Sequence, residues 1–448
     1  MQADYSKPEK EYENSLFPVA QIFDYSDWMT NYSEFWDFDR EKIKLFNKFN
    51  QEIIKPFEQY QVPVILLRKE TSRDAVCHVF EKVNTGGVSL TVFELLTATY
   101  AVDDFKLRQD WENREKQLKK WAVLENVYSS DFLQAVTLLA TYDRRNQESA
   151  TAYEPHKVPA ISCTRKDILN LKLTEYKKWA DAVTEGFEKA SKLLHTQKIF
   201  SAKDLPYQSQ LTVLAAIFAL LKGSSDIDSV RAKLVRWYWC GVFGELYSSG
   251  IESRLAKDLL QLLKWIELNE SEPDTIKDAY FYPNRLLRLY TRRSAAYKGL
   301  SALLLREQGC DFFTGYEIDT LMHHSEPIDI HHIFPRSWCE KKGLKRQEYD
   351  SVVNKTPLSS KTNKIIGGYA PSVYLSSLQK KATITEERMD ELLRSHVIDP
   401  DALRADDFEK FFQTRHKMLL ERIEKAMGKT LLYDDKSLED VEPTELDE

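Results

Sequence analysis

Two adjacent histidines and a distant asparagine carry the side chains that phosphodiester hydrolysis requires. His331 and His332 lie in PIDIHHIFPRSW (327–338), and Asn363 lies in VVNKTPLSSKTNKIIGG (352–368). Hydrolysis needs a nucleophile made from water and a cation that stabilises the charge of the transition state. One imidazole can bind a metal ion while another, with a pKa near neutrality, deprotonates the water. Because neighbours on a strand point to opposite sides, we expect the two histidines to have different tasks.

Oxygen donors accompany these histidines. Asn363 offers a neutral amide oxygen, and Asp329 is expected on the same strand face as His331, either as a further ligand or as support for one. Such a donor set suits one hard divalent cation, Mg²⁺ or Mn²⁺, that keeps several of its waters. The alternative is a structural cluster, or a nuclease site that has decayed.

The surrounding sequence predicts the elements that position these residues. IDIHHIF is strand-like and ends at Pro335, a second short strand is expected near NKTPLSS, and a helix is expected to begin within 361–363. In a strand, loop, strand, helix unit, the end of the first strand faces the first turn of the helix. Residues about thirty positions apart can therefore share one metal ion.

Basic residues concentrate around the same segment. Between Ile333 and Lys364 there are eight Lys or Arg residues and three acidic residues. We predict that Arg336, Lys355, Lys361 and Lys364 contact nucleic-acid phosphates. A solvated loop would have a similar composition. The neighbouring pair His323 and His324 is expected to be exposed and is not assigned to the site.

Composition indicates a helix-rich globular protein of more than one domain. The 448 residues are 42% hydrophobic and 12% aromatic, and the net charge is −7. Five scattered cysteines form no C-x-x-C pair and indicate neither disulfides nor a zinc ribbon. With no apolar leader and no apolar run long enough to span a bilayer, we expect a cytoplasmic protein without membrane contact.

Helical periodicity runs through the middle of the chain. We predict a mainly α fold with a small α+β part, namely a helical bundle followed by the ββα unit. A helix is also expected over 38–60, and Thr91 with Glu94 resembles a capping box. RWYWCGVFGELY is predicted to be core instead of a base-stacking platform. The expected domains are residues 1–104, a bundle over 105–305, the nuclease unit over 306–428 and an acidic disordered tail over 429–448.

The pattern I-D-x-H-H-I-x-P, a loop of about twenty residues and N-K-x-x-L-(x)4-N-K resembles the HNH, or ββα-metal, nuclease motif. The resemblance implies that His331 is the metal ligand and His332 the general base. It also implies that Asn354 braces the loop and hence the base, and that Asn363 is the ligand on the helix. Lys364 departs from the pattern, because many members have a histidine there, and this leaves the metal preference open.

Longer stretches resemble the GmrSD-type restriction proteins, among them FEKVNTGGVSLTVFELLTA, LPYQSQLTVLAAI and RWYWCGVFGELYSSGIESRLAKDL. That family joins a ParB-like nucleotide-hydrolysing domain to a C-terminal HNH nuclease. The N-terminal signatures of the family, including D-G-Q-Q-R, are not found here. We therefore expect residues 1–104 to correspond to the second half of the ParB-like domain, and a partner chain is a candidate for the missing half.

Together, these features predict a metal-dependent HNH endonuclease that hydrolyses DNA in a bacterial restriction or anti-phage system. The alternative is a non-catalytic subunit that binds DNA or a partner protein. The sequence leaves open the DNA target, a role for RNA, nucleotide gating and the oligomeric state.

Overall fold

The chain is mainly helical, as predicted. A computed structural model describes residues 7–62, 64, 66, 79, 91–149, 158–323 and 328–431. The chain divides into two compact units, Met1–Phe80 and Glu81–Glu448. Within the described residues there is one two-stranded sheet, and helices form most of the rest.

The first unit is built from short helices around an aromatic core. They are α1 (Pro8–Glu13), α2 (Ser26–Phe35), α3 (Arg40–Phe49) and α4 (Lys55–Gln59), and a π-helical turn (Asn50–Ile54) joins the last two. Asp39 caps α3 by accepting hydrogen bonds from two backbone N–H groups of its first turn. Trp28 stacks on Tyr32 and on Phe46 in the core. The helix predicted over 38–60 is confirmed, except that the π turn interrupts it.

The second unit begins with a large helical region. Its helices are α5 (Val92–Ala101), α6 (Leu107–Leu118), α7 (Ser129–Ser149), α8 (Arg165–Leu169), α9 (Leu173–Thr196), α10 (Ser209–Leu221), α11 (Asp228–Phe243), α12 (Ile251–Glu267), α13 (Asp274–Asp278) and α14 (Ala295–Arg306). Thr91 and Glu94 form the predicted capping box at the start of α5. Trp237, Tyr238 and Trp239 of α11 are buried, so the prediction that RWYWCGVFGELY is core is confirmed for this helix.

One predicted helix is wrong in part. Periodicity favours a helix over 284–307, with Arg285, Arg288, Arg292 and Arg293 in its first half. The structure has a 3-10 turn (Pro283–Arg288) followed by non-helical backbone, and α14 begins only at Ala295, where Ser294 caps it. Arg285 and Arg288 belong to the 3-10 turn, and α14 starts only after the capping residue Ser294. These two arginines therefore do not lie on α14.

The C-terminal part of this unit contains the sheet. Its elements are α15 (Ile318–His323), β1 (Ile328–His332), α16 (Arg336–Lys341), α17 (Arg346–Tyr349), β2 (Lys355–Ser359), α18 (Ser360–Ile366), α19 (Pro371–Ala382), α20 (Glu386–Ser395), α21 (Pro400–Arg404) and α22 (Phe408–Met427). The strands are antiparallel, with His331 opposite Thr356 and His332 opposite Lys355. The predicted order of strand, loop, strand and helix is confirmed as secondary structure.

Helix α22 packs into both hydrophobic cores of the second unit. Phe408 and Phe411 pack with the core of the strand region, whereas Leu419, Ile423 and Met427 pack with the core of the helical region. The two regions therefore share this last helix. The domain borders predicted after residues 104, 305 and 428 stay predictions.

Some predicted features lie outside the described residues. They include the Asn84–Gly87 turn, most of the strand-like run over 61–68, His324 and residues 432–448 of the acidic tail. In the part of the chain that the structure describes, no helix is both long enough and apolar enough to cross a membrane.

Candidate active site at the strand pair

Helix α18 follows β2 without a connecting loop. Ser359, the last residue of β2, caps α18 by accepting a hydrogen bond from the Thr362 backbone N–H. The carboxylate of Asp311 accepts hydrogen bonds from Ser359 N (2.8 Å) and from Thr362 Oγ1 (2.6 Å). The turn from strand to helix is therefore fixed at both of its ends, and this holds Asn363 against β1.

Asp311 is a buried anion that the backbone and hydroxyl groups compensate. Burial alone would raise the pKa of its carboxyl group, but the hydrogen bonds from Thr362, Thr314 and Ser359 outweigh burial and lower that pKa. Its Oδ1 also accepts hydrogen bonds from Phe313 N (3.1 Å) and Thr314 N (2.9 Å). One charged side chain thus ties the turn after Cys310 to the start of α18.

Asp329, Asn363 and His331 form one hydrogen-bonded chain at the meeting point of β1 and α18. The Asn363 Nδ2 group donates to Asp329 Oδ2 (3.0 Å), and Asn363 Oδ1 lies 2.6 Å from His331 Nδ1. Ser360 Oγ donates to the same Asp329 oxygen (2.8 Å). Because Asp329 accepts from the amide nitrogen, the amide oxygen of Asn363 is turned toward His331.

The environment keeps His331 neutral. Only 6% of its surface is exposed. Burial lowers the pKa of His331 to about 4, against a smaller opposing effect of the hydrogen bond with Asn363. Hydrogen bonds from Asn363 and Ser360 lower the pKa of Asp329, which is therefore ionised at neutral pH. A neutral imidazole and an ionised carboxylate are the forms that bind metal ions.

These three side chains are the candidate ligands for a divalent cation. They bring an imidazole, an amide oxygen and a carboxylate to one place, a mixed set that suits a hard ion retaining water. Within the described residues, His331 Nε2 is buried without a hydrogen-bond partner. Over the same residues, no three His, Cys, Asp or Glu side chains cluster in a way that could hold a metal ion. The fit therefore depends on the Asn363 amide.

His332 lies at the end of β1 and contacts a different partner. Its Nε2 is 3.1 Å from Asp350 Oδ1. Burial lowers the pKa of His332, and this effect outweighs the opposing effect of Asp350. With Nε2–H donating to the carboxylate, Nδ1 is the ring nitrogen that can accept a proton. This geometry gives His332 the form that a general base requires.

Asp350 is shared between His332 and two cations. Lys355 Nζ lies 2.8 Å from Asp350 Oδ1, and Arg346 Nε lies 3.3 Å from Oδ2. Burial would raise the pKa of Asp350, but the hydrogen bonds from Lys355 and His332 dominate and lower it. Lys355 also donates to the Tyr290 carbonyl (2.8 Å) and is only 8% exposed. The structure therefore places Lys355 as a buried support for Asp350 instead of an exposed phosphate contact.

Asn354 braces the loop between the strands from the inside. Its amide nitrogen donates to the carbonyls of Phe334 and Tyr349, both at 2.9 Å, and its Oδ1 accepts from Phe334 N (2.8 Å). The residue is fully buried. Asn354 therefore acts as a positioning residue that joins the end of β1 to α17, and not as a group in contact with substrate.

An open cleft of about 390 Å³ lies beside these groups. His331, His332, Asn363, Arg336 and Gly367 are among the residues that line it. The Arg336 side chain is exposed and pairs with Glu340 (2.7 Å). Lys361 and Lys364 are exposed on α18, with the Lys361 ammonium 4.8 Å from the centroid of the Phe313 ring. Three of the four predicted phosphate contacts are thus accessible.

A buried arginine and histidine support β2 from behind. Arg415 of α22 donates to the carbonyls of Val353 (2.5 Å), Lys355 (2.9 Å) and His396 (3.2 Å). His396 Nδ1 lies 2.6 Å from Thr356 Oγ1, and its Nε2 lies 2.9 Å from the Cys310 carbonyl. These bonds hold β2, which begins at Lys355 and leads directly into α18, the helix that carries Asn363.

Comparison with known proteins identifies the start of the chain. Residues 3–101 match the family model of the GmrSD restriction endonuclease N-terminal domain. The chain carries a GmrSD-type N-terminal domain. The resemblance to the GmrSD-type family is thereby confirmed, and the match indicates a restriction-endonuclease-type system.

A second comparison extends over most of the chain. The uncharacterized protein MJ0686 of Methanocaldococcus jannaschii is 26% identical over 458 residues, and the alignment covers 93% of this chain and 72% of that protein. The similarity therefore includes the strand pair as well as the N-terminal domain. The name of this relative assigns no activity.

Three positioning residues were not found from the sequence: Asp350, Asp311 and Arg415. Between residues 333 and 364 there are eight basic residues and only three acidic ones, of which Asp350 is one. An isolated carboxylate in a basic segment is a signal that could have pointed to Asp350. Asp311 precedes Thr314 and Gly315 in a turn-like DFFTG run, a second signal. Arg415 is 62 and 60 residues from the Val353 and Lys355 carbonyls that it binds, and no local pattern indicates such contacts.

Proposed function

We propose that this protein is a divalent-cation-dependent endonuclease of the HNH type that hydrolyses DNA as part of a restriction system. The observation that carries the proposal is the chain Asp329–Asn363–His331 beside His332, which pairs with Asp350, at the junction of two antiparallel strands and a helix. The GmrSD-type N-terminal domain supports the assignment to a restriction system and DNA as the substrate.

Each residue has a distinct task in this proposal. Asp329, His331 and Asn363 would hold one Mg²⁺ or Mn²⁺ ion. That ion would supply positive charge that stabilises the transition state and the departing 3′ oxygen. His332 Nδ1 accepts a proton from water, whose oxygen forms the new bond to phosphorus as the P–O3′ bond breaks. The 3′ oxygen takes up a proton from solvent water and His332 releases its proton to solvent, which leaves 5′-phosphate and 3′-hydroxyl ends.

Two further residues hold His332 in the position that a general base requires. Asp350 accepts from His332 Nε2–H and so selects the tautomer with a free Nδ1. Asn354 fixes the loop that leads to Asp350. Arg336, Lys361 and Lys364 are the exposed cations that would contact phosphates next to the scissile bond.

A plasmid cleavage assay tests the proposal. Wild-type protein is compared with His332→Ala and Asn363→Ala in Mg²⁺, Mn²⁺ or EDTA. The control is His416→Ala, which changes a partly buried histidine of α22 that does not line the cleft. We expect metal-dependent nicking by the wild type and the control, and loss in both site variants.

The alternative function is a non-catalytic subunit that binds DNA or a partner chain. If the wild type binds DNA but leaves it intact with every cation, and with any partner chain present, the nuclease proposal fails. A His332→Ala protein that protects cells from phage as well as the wild type does would then favour the binding role.

A further inference from the structure

A second cavity, of about 310 Å³, lies against the sheet. Ile328 and Ile330 of β1 form part of its wall, together with Pro357, which pairs with Ile330 across the strands. Side chains alternate along a strand, so these positions belong to the opposite face from Asp329 and His331. Ile330 also lines the cleft beside the histidines. The two spaces are therefore adjacent and share Ile330 of β1.

Part of the remaining wall of this cavity is basic, and Tyr297, Ser301, Ala302 and Leu305 complete it. Four cationic side chains line it: Lys198, Lys203, Arg292 and Lys298. Among the described residues that line the cavity, Asp204 is the only one with a carboxylate. Lys198 is already neutralised by an ion pair with Asp319. The lining therefore holds three further cations and one carboxylate.

Lys298 lies on α14, and its side chain lines the cavity. It is half-buried, and its Nζ donates to the Leu205 carbonyl (3.1 Å). Burial lowers the pKa of Lys298, and the attraction of Asp204 does not fully offset this. The Asp204 carboxylate also accepts a hydrogen bond from Ser201 Oγ (2.7 Å). The bond to Leu205 uses one of the three N–H donors of the Lys298 ammonium, and an anion in the cavity would stabilise its charged form.

We infer that this cavity is a phosphate-binding subsite, separate from the cleft that contains His331 and His332. Lys203, Arg292 and Lys298 are the donors, and a phosphate group is the anion that most readily accepts from an arginine fork and lysine ammonium groups together. The isoleucines and Pro357 form an apolar wall that limits solvent and so strengthens these charge-assisted bonds. The phosphate belongs either to the DNA backbone or to a small phosphorylated molecule.

Binding to this subsite needs no metal ion and no catalysis, so its test is independent of the nuclease proposal. The full chain is titrated with inorganic phosphate in EDTA, and binding is followed by calorimetry. The variants are Lys298→Met and Arg292→Gln, the second of which changes an exposed side chain and should fold normally. Lys120→Met changes an exposed lysine that does not line the cavity and is the control. Circular dichroism checks that each variant is folded.

The same proteins are then titrated with a short DNA duplex in EDTA at several salt concentrations. Phosphate binding by the wild type that weakens about tenfold in both variants, and not in the control, supports a site for a small phosphorylated molecule. Absence of phosphate binding, with duplex affinity about tenfold lower in both variants and a salt slope reduced by about one, supports the DNA backbone. If neither ligand distinguishes the two variants from Lys120→Met, the inference is overturned.

Discussion

The contact between His332 and Asp350 gives the sharpest test of the proposed mechanism. Asp350→Asn keeps the shape of the side chain and removes its charge. The variant loses the carboxylate that holds the His332 Nε2–H and stabilises the imidazolium. We expect kcat for DNA cleavage to fall about tenfold to a hundredfold, because the base is no longer oriented and its preferred tautomer is lost.

The separation of the two groups sets the size of the accompanying pKa change. At the 3.1 Å between His332 Nε2 and Asp350 Oδ1, two unit charges interact by about 1–5 kcal/mol for effective dielectric constants between about 80 and 20. Because Lys355 and Arg346 share the carboxylate, we expect a value near the lower end. About 1.4 kcal/mol corresponds to one pKa unit. Asp350→Asn should therefore lower the pKa of His332 by about one unit.

The pH profile of cleavage separates this role from a purely structural one. A general base must be unprotonated, so activity is lost as the pH falls through the pKa of His332. The acidic limb of kcat/KM should move to lower pH in Asp350→Asn. It should move to higher pH in Lys355→Met, because Lys355 disfavours the imidazolium. A limb that stays in place in both variants, with kcat unchanged in Asp350→Asn, would refute the reasoning.

Three further predictions concern stability and DNA binding. Asn354→Asp should lower the free energy of unfolding by about 3–5 kcal/mol in urea titrations, because two buried carbonyls lose their donors and face a charge instead. The control Asn269→Asp changes an exposed position and should alter this free energy little. Equal effects of the two substitutions would count against the bracing role of Asn354. Burial lowers the pKa of His396 to about 4, so the unfolded chain binds more protons than the folded one below about pH 6.5. His396 should therefore lower the stability by at most about 3 kcal/mol as the pH falls from about 6.5 toward 4, in addition to the loss from His331, whose pKa is also lowered to about 4. His396→Gln should flatten this part of the curve; a curve unchanged by the substitution would contradict this. Lys361→Gln with Lys364→Gln should weaken DNA binding and reduce its salt slope by about two in fluorescence anisotropy, and an unchanged slope would remove these lysines from the DNA contacts.

Local sequence patterns determined the elements of this protein. The run IDIHHIF before Pro335, the segment NKTPLSS with the helix start expected within 361–363, and the helical periodicity of the central region predicted the strands, α18 and most helices, since hydrophobic period acts over a few residues. The motif spacing also predicted which side chains meet, and the structure brings Asp329, His331 and Asn363 together. The prediction of one continuous helix over 284–307 was wrong, because Ser294 caps a helix that begins at Ala295 and periodicity alone does not reveal such a cap.

Only the tertiary structure decided which charges are available and which are used internally. Lys355 and Arg336 look equivalent in the sequence, yet one is buried against Asp350 and Tyr290 and the other is exposed. The basic cavity behind β1 draws its cations from segments about one hundred residues apart. Burial and pairing depend on distant segments that pack together, and the free energy of a charge depends on that environment more than on its neighbours in the chain.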